Sequence, residues 1–137
     1  MRKGLAVSLL LICGIAANAL ADDRAVYLLH CGGCHLLDGR GNPPEVPTLQ
    51  NELGKIIRVP GGRDYLVQVP GASQAPVTDS QLADIINWIL TEFNAATLQS
   101  SFVPLSADEV GKARRQTLAD PLKRRAEIWQ KYADASY

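Results

Sequence analysis

The stretch Cys31-Gly32-Gly33-Cys34-His35 decides how this chain is organised. Two cysteines two residues apart, followed at once by histidine, form the pattern of a c-type haem attachment site. Each thiol can add to one vinyl group of the porphyrin, and the imidazole that follows can bind the iron from the proximal side. The glycines add no side chain where the backbone crowds the macrocycle. We therefore predict one covalent haem c, bound through Cys31 and Cys34, with His35 as the proximal iron ligand.

The same motif has two other uses in proteins, a thioredoxin-like redox pair and half of a zinc site. A thioredoxin motif follows a strand in a βαβ pattern, which this sequence does not show. A zinc site needs more thiols or imidazoles at ligand spacing, and the only other candidates are His30 and Cys13. The haem interpretation is favoured over both.

The first 21 residues have the organisation of a secretory signal peptide. Two positive charges within residues 1–3 precede an apolar stretch at 5–15 that is too short to span a bilayer as a helix. The sequence Ala-Leu-Ala at 19–21 then matches a small-residue cleavage site, which disfavours a retained membrane anchor. We predict cleavage after Ala21 and a periplasmic protein, in keeping with haem attachment outside the bacterial cytoplasmic membrane.

Cleavage would leave one small domain with an extension. We predict a haem domain over residues 22–100 and a helical extension over residues 101–137. The mature chain would have 12 basic and 14 acidic side chains, a formal net charge of −2. That balance gives no reason to expect nucleic acid or an anionic membrane as a partner. Cys31 and Cys34 would be the only cysteines left, and both are used by the haem.

The first part of the predicted haem domain mixes helices with loops. Acidic residues at Asp22 and Asp23 predict the start of a helix that runs into the haem motif. Residues 36–47 contain several glycines and prolines and should form a loop. Thr48 should cap a short helix over residues 49–57. Residues 59–77, also rich in glycine and proline, should form an irregular loop.

A longer helix should close the haem domain. Thr78-Asp79-Ser80-Gln81 has the form of a capping box, and the helix should end near Asn94. Its apolar residues recur at helical spacing, at Leu82, Ile85, Ile86 and Ile89.

The predicted extension contains two further helices. Ser106-Ala107-Asp108-Glu109 has the capping-box form and should open a helix to about Leu118. The pair Asp120-Pro121 should start a second helix, to about Ala133. These helices either pack on the haem domain or dock a partner protein, and their amphipathic patterns favour packing.

Residues 22–94 resemble a class I cytochrome c, and the resemblance rests on the haem motif and three further positions. Tyr27 lies four residues before Cys31, where that family has an aromatic on its first helix. Trp88 lies on the last helix, where the family has an aromatic that packs against the first. Pro47 begins a segment like the family's Pro-x-Leu, whose proline carbonyl accepts a hydrogen bond from the proximal imidazole. The resemblance implies an all-α fold around one covalent haem, followed here by the two-helix extension.

The sequence departs from that family at the distal ligand. Class I cytochromes commonly use a methionine from the loop before the last helix, whereas Met1 is the single methionine here. Val69-Pro70 occupies the expected position, and valine cannot bind iron. The candidates for a replacement ligand, all weak, are Tyr65, Gln68, Gln74 and Lys55; an open or water-bound iron is the other alternative. His30 adjoins Cys31 on the proximal side and should not reach the distal face.

Three functions remain open at the level of sequence. The first is an exported carrier of single electrons and not an enzyme, since the haem supplies the chemistry while the protein sets potential and partner choice. Residues 65–90 also look like small exported cytochromes paired with oxidoreductases, which favours a dehydrogenase system. The second is a high-spin haem protein that binds a small ligand or catalyses redox chemistry at an open distal site. The third is a haem subunit of a larger complex. Arg58 and Arg63 are expected either near the haem propionates or exposed in a loop.

Overall fold

A computed structural model describes residues 22–135 of the chain. The predicted signal peptide, residues 1–21, lies outside this part. Within it the structure is helical and has an isolated bridge between Asn42 and Val46 but no strand, which confirms the predicted all-α fold class. No helix of these residues is long and apolar enough to cross a membrane. The helices are α1 (Asp23–His30), α2 (Gly32–His35), α3 (Leu53–Ile56), α4 (Gly62–Gln68), α5 (Pro70–Ser73), α6 (Asp79–Phe93), α7 (Ala107–Ala113) and α8 (Pro121–Asp134).

The first helix packs against α6 through three aromatic rings. Tyr27, on α1, has its ring centroid 5.2 Å from that of Trp88 and 5.4 Å from that of Phe93. Its buried hydroxyl donates a hydrogen bond to the Leu36 carbonyl, 2.6 Å away, and burial above all raises the pKa of Tyr27 to about 12. These contacts fix the helix that leads into the haem motif on the helix that closes the domain.

The long helix α6 forms as its sequence predicts. Thr78 accepts a hydrogen bond from the Gln81 backbone amide, and the Gln81 side chain accepts one from the Thr78 amide. The four apolar residues at helical spacing are all buried, at Leu82, Ile85, Ile86 and Ile89.

The helix predicted over residues 49–57 is shorter than expected. Thr48 does accept a hydrogen bond from a backbone amide, that of Gln50, but the bond closes a turn rather than a helix. Asn51 then adopts a left-handed backbone with φ of 55°, which a right-handed helix cannot contain. As a result, α3 begins only at Leu53.

The irregular loop predicted over residues 59–77 was wrong, because two helices form there. Gly61 takes the left-handed conformation, with φ of 79°, and turns the chain into α4. A side chain at Gly62 would collide with the Ile56 carbonyl oxygen. The glycine pair thus starts a helix close to α3 instead of extending a loop. Pro70, at the first position of α5, is likewise compatible with a helix start.

Helices α7 and α8, in the predicted extension, pack on the preceding helices, which is the arrangement that their amphipathic patterns favour. Val110 of α7 and Ile128 of α8 are fully buried, and α8 begins after Asp120 as predicted. Helix α7 ends at Ala113 rather than near Leu118, because the amide of Leu118 donates to the Gln68 carbonyl instead of continuing the helix. Its capping box is half formed: Ser106 accepts from the Glu109 amide, while the Glu109 carboxylate pairs with Arg63 of α4.

Candidate haem site

A cavity of about 490 Å³ lies between the haem motif, α4, α5, α6 and the start of α8. Its size falls within the range of cofactor and ligand sites in proteins. The lining is mostly apolar and includes Leu53, Leu66, Leu82, Ile85, Ile86 and Ile89. The three chemically reactive residues of the motif, Cys31, Cys34 and His35, line the same cavity. The residue types around this space therefore suit a large flat apolar group held by thiols and an imidazole.

The motif folds as a turn of helix directly after α1. The Cys31 amide donates to the Tyr27 carbonyl at 2.8 Å, and the His35 amide donates to the Cys31 carbonyl at 2.9 Å. Cys31 is half-buried, and burial raises the pKa of its thiol, whereas Cys34 is exposed. No disulfide involves Cys31 or Cys34 within the described residues.

One ring nitrogen of His35 is held by the backbone. Its Nδ1 lies 3.1 Å from the Pro47 carbonyl oxygen, which accepts the hydrogen bond and leaves Nε2 as the nitrogen available to iron. Burial lowers the pKa of His35, although the Pro47 carbonyl opposes that shift; the shift favours the neutral imidazole, which is the form that binds a metal. Gly41 makes room for this arrangement: a Cβ at Gly41 would lie 2.8 Å from the Pro47 oxygen.

Val69 lines the cavity, at the position where the sequence led us to expect a distal methionine. Of the four candidate replacement ligands, Tyr65 also lines it. Gln68 faces a second, smaller cleft, while Gln74 is exposed and Lys55 half-buried; within residues 22–135 none of these three contributes to the cavity wall.

The distal segment, defined as residues 69–77, is fixed from outside by Arg114. This guanidinium donates to the carbonyls of Ser73, Ala75 and Val77 at 2.8–3.3 Å and forms an ion pair with Asp79 at 2.9 Å. The hydroxyl of Ser73 is also hydrogen-bonded to that of Thr117, at 3.0 Å. The extension thus holds the backbone of the distal segment through these hydrogen bonds.

Arg125 is a site residue that sequence reasoning missed. It lines the cavity, forms an ion pair with Glu52, and acts on His35 electrostatically in the direction that lowers its pKa. Helix α8 places Arg125 beside Glu52, 73 residues away in the sequence, and no local pattern predicts that contact. The amphipathic pattern of α8 indicates only which side of the helix is buried, and Leu122, one turn from Arg125, lines the cavity on that side.

The two arginines considered for the propionates lie elsewhere. Arg63 forms its ion pair with Glu109, and Arg58 lies over the ring of Tyr132, 5.6 Å from its centroid. Neither lines the cavity within the described residues. His30, which adjoins Cys31, is half-buried and does line the cavity.

A helical fold around an apolar cavity, with Cys31, Cys34 and a backbone-held His35 in its wall, defines the class of c-type haem proteins. Comparison with known proteins agrees with this assignment. The chain is 32% identical over 126 residues to a cytochrome c-552 of Thermus thermophilus, a match that covers 79% of this chain and 84% of that protein. A second cytochrome c-552 of Thermus thermophilus is 31% identical over 116 residues, covering 72% of this chain and 88% of its own length. No family model matches the chain.

The chain therefore belongs to the c-type cytochromes, electron-transfer proteins whose cofactor is covalently attached haem c.

Proposed function

We propose that the protein is an exported mono-haem cytochrome that carries single electrons between redox partner proteins. The observation that carries this proposal is the His35–Pro47 hydrogen bond in the wall of the cavity that both cysteines line. In this proposal Cys31 and Cys34 form the thioethers and His35 Nε2 is the proximal iron ligand. The bound haem supplies the one-electron chemistry, and the chain sets its potential and its access to partners.

The residues around the proximal ligand have complementary roles. The Pro47 carbonyl fixes the tautomer and orientation of His35, which raises its basicity as a ligand. Tyr27 and Trp88 hold α1 against α6 and so keep the motif in place. Arg125 brings a positive charge to the cavity wall, where its ion pair with Glu52 keeps the side chain in position.

We also propose that the protein belongs to a subgroup without the usual distal methionine. The presence of Val69 where the family would have a methionine supports this proposal, and a thioether ligand is one of the groups that raise the potential of a haem. We therefore expect a reduction potential below that of cytochromes with methionine and histidine ligation.

The sequence supports two further parts of the proposal, export of the protein and a dehydrogenase as its redox partner. The charged start, apolar stretch and Ala-Leu-Ala of residues 1–21 support cleavage after Ala21 and a location in the periplasm. The likeness of residues 65–90 to small cytochromes paired with oxidoreductases supports an exported dehydrogenase as electron donor. Cys34 is exposed and lines the cavity, so we propose the surface around it as one place where a partner approaches the haem.

The test is expression with a bacterial haem-attachment system, followed by mass measurement of the exported protein. The expected mass is that of residues 22–137 plus one haem, and the protein should be reduced and reoxidised reversibly by one electron. The Cys31→Ala/Cys34→Ala variant should lose the covalent haem. Matched substitution of two exposed residues outside the cavity, Ser100→Ala and Ser101→Ala, should leave it attached. A mature protein without covalent haem would refute the proposal.

A further inference from the structure

We infer that the distal wall of the cavity is a binding site for a small uncharged diatomic molecule of the carbon monoxide or nitric oxide class, with the Tyr65 hydroxyl donating a hydrogen bond to it. This inference rests on the proposed attachment of haem c at Cys31 and Cys34 with His35 as proximal ligand. It goes beyond electron transfer, because an electron carrier needs no position for an external ligand.

Apart from Tyr65, the side chains of the distal wall, the part of the cavity lined by Val69 and its neighbours, are apolar and cannot bind iron. Val69 has no electron pair to donate, and the single methionine of the chain is Met1. The neighbouring lining residues are apolar as well: Ala72, Ala75, Leu82, Ile85 and Ile86. Nothing in this group can occupy the sixth coordination position of an iron bound to His35.

Hydrogen bonds hold the distal segment in one conformation, so the neighbouring side chains cannot move in to serve as the missing iron ligand. Arg114 donates hydrogen bonds to the backbone carbonyls of Ser73, Ala75 and Val77. The Leu118 amide binds the Gln68 carbonyl at 2.9 Å, and the Gln68 side chain lies in the second cleft with Asp64 and Glu109. Gln68 is thus turned toward the second cleft, and Gln74 is exposed; neither lines the cavity within the described residues.

Tyr65 is the polar side chain that the distal wall leaves without a protein partner. It is 4% exposed and lines the cavity. Among residues 22–135 its hydroxyl forms no hydrogen bond, in contrast to that of Tyr27, which donates to Leu36. The hydroxyl is in contact with the cavity space rather than sealed among protein atoms, so a ligand in the cavity with an acceptor atom can take its hydrogen bond.

The polarity and charge of the cavity lining favour an uncharged ligand over an anion. The distal residues are apolar, so an anion would lose its hydration with little in exchange. The one arginine in the described cavity wall, Arg125, is already paired with Glu52. Glu45 and Asp120 also line the cavity, and their negative charge disfavours anions further. Binding would be dative: the ligand would donate an electron pair to the ferrous iron of a haem held by Cys31, Cys34 and His35, and no electron would be transferred.

The first test is titration of the reduced holoprotein with carbon monoxide, followed by its absorption spectrum and by flash photolysis. We expect saturable binding with a shift of the main haem band, and rapid rebinding after the flash. A ferrous spectrum that carbon monoxide does not change would overturn the inference. If that protein still held covalent haem and cycled by one electron, the proposed function would stand while the ligand site would be lost.

The second test replaces the donor. Tyr65→Phe keeps the ring and removes the hydroxyl, so carbon monoxide should dissociate about fivefold faster, the effect of losing one ordinary hydrogen bond. The infrared stretch of bound carbon monoxide should rise in frequency, since the hydrogen bond that weakens its C–O bond is gone. Tyr132→Phe is the matched control, because Tyr132 lies on α8 against Arg58 and Trp129 and should change neither quantity.

Two outcomes would overturn the role of Tyr65. If Tyr65→Phe left both the dissociation rate and the C–O stretch unchanged, its hydroxyl would not contact the ligand. If the ferric protein showed a phenolate-to-iron band that this substitution abolished, Tyr65 would be an iron ligand rather than a hydrogen-bond donor.

Discussion

Arg63 on α4 holds Glu109 on α7 in a two-pronged ion pair, with Nε–Oε1 and Nη2–Oε2 distances of 2.7 and 2.8 Å. Arg63 also donates to the Val103 carbonyl at 2.8 Å. The pair joins the helix that contains Tyr65 to the C-terminal extension, so the distal wall and the extension should respond together to its loss.

This ion pair predicts an acid-sensitive contribution to stability. The hydrogen bonds from Arg63 lower the pKa of Glu109 from its ordinary value. Its stabilisation is therefore present above the pKa of the unfolded chain and is lost as pH falls through the lower folded value. Glu109→Gln should cost about 1 kcal/mol near pH 7, because both side chains are partly exposed. The difference should shrink as pH is lowered from 7 and vanish below the lowered pKa of folded Glu109.

The measurement is urea unfolding of both proteins across that pH range. Asp108→Asn is the control, because Asp108 is an exposed neighbour that forms no ion pair within residues 22–135. Parallel pH profiles for wild type and Glu109→Gln would contradict the prediction.

Arg114 should be among the most sensitive surface-facing residues of the chain. Arg114→Met keeps much of the side-chain volume but leaves three distal carbonyls and Asp79 without their donor. Hydrogen bonds from a charged group are stronger than neutral ones, so we expect a loss of about 2–4 kcal/mol of unfolding free energy. Arg115→Met, at the exposed next position, should cost less than about 0.5 kcal/mol. Equal losses for both variants, measured by denaturant unfolding, would show that the distal segment does not depend on Arg114.

Asn94 joins three parts of the haem domain from a fully buried position. Its side-chain amide donates to the Leu49 and Ile89 carbonyls at 2.9 and 3.1 Å, and its side-chain carbonyl accepts from the Gly54 amide at 3.2 Å. Asn94→Leu would leave those backbone groups unpaired and should destabilise the protein by about 2–4 kcal/mol. Thermal unfolding should show this loss of stability. The control is Asn42→Leu, at an exposed position, which should change stability very little. A stable Asn94→Leu protein would contradict the assignment.

Arg125 should influence the haem electronically. Its positive charge in the cavity wall favours the reduced form, which has one positive charge fewer at the iron. Arg125→Met should therefore lower the reduction potential by tens of millivolts, measured by redox titration. Lys123→Met, exposed on the same helix, should shift the potential far less because solvent and salt screen its charge. An unchanged potential in Arg125→Met would place this guanidinium away from the haem.

Val69 is the position at which a ligand can be introduced. In Val69→Met the thioether should bind the iron, make the haem six-coordinate and low-spin, and raise the potential. Optical spectra and redox titration would detect both effects. Val77→Met, in the same segment but outside the described cavity wall, is the control. If Val69→Met left spectrum and potential like those of the control, Val69 would not be the distal position.

The sequence predicted the haem motif, α1, α6 and both helices of the extension because their signals are local. Thr78 and Gln81 lie three residues apart, and the apolar stripe of α6 repeats within its own length. The failures lie where distant chain segments decide the outcome. The glycine pair at 61–62 was interpreted as a loop signal, and only the approach of the Ile56 carbonyl shows why a helix starts there with glycine.

The site residues, too, could be predicted only where their signal is local in the sequence. Cys31, Cys34, His35 and Pro47 could be predicted because their order and spacing follow from chemistry. Arg125 could not, since its partner Glu52 is 73 residues away, and an arginine on an amphipathic helix is usually solvated.

Redox titration of the purified exported protein, followed by its haem absorption, tests the central claim most directly. The account predicts one covalent haem per chain and a single reversible wave that fits the transfer of one electron. Absence of a haem spectrum, or a haem that cannot be cycled between two oxidation states, would contradict it.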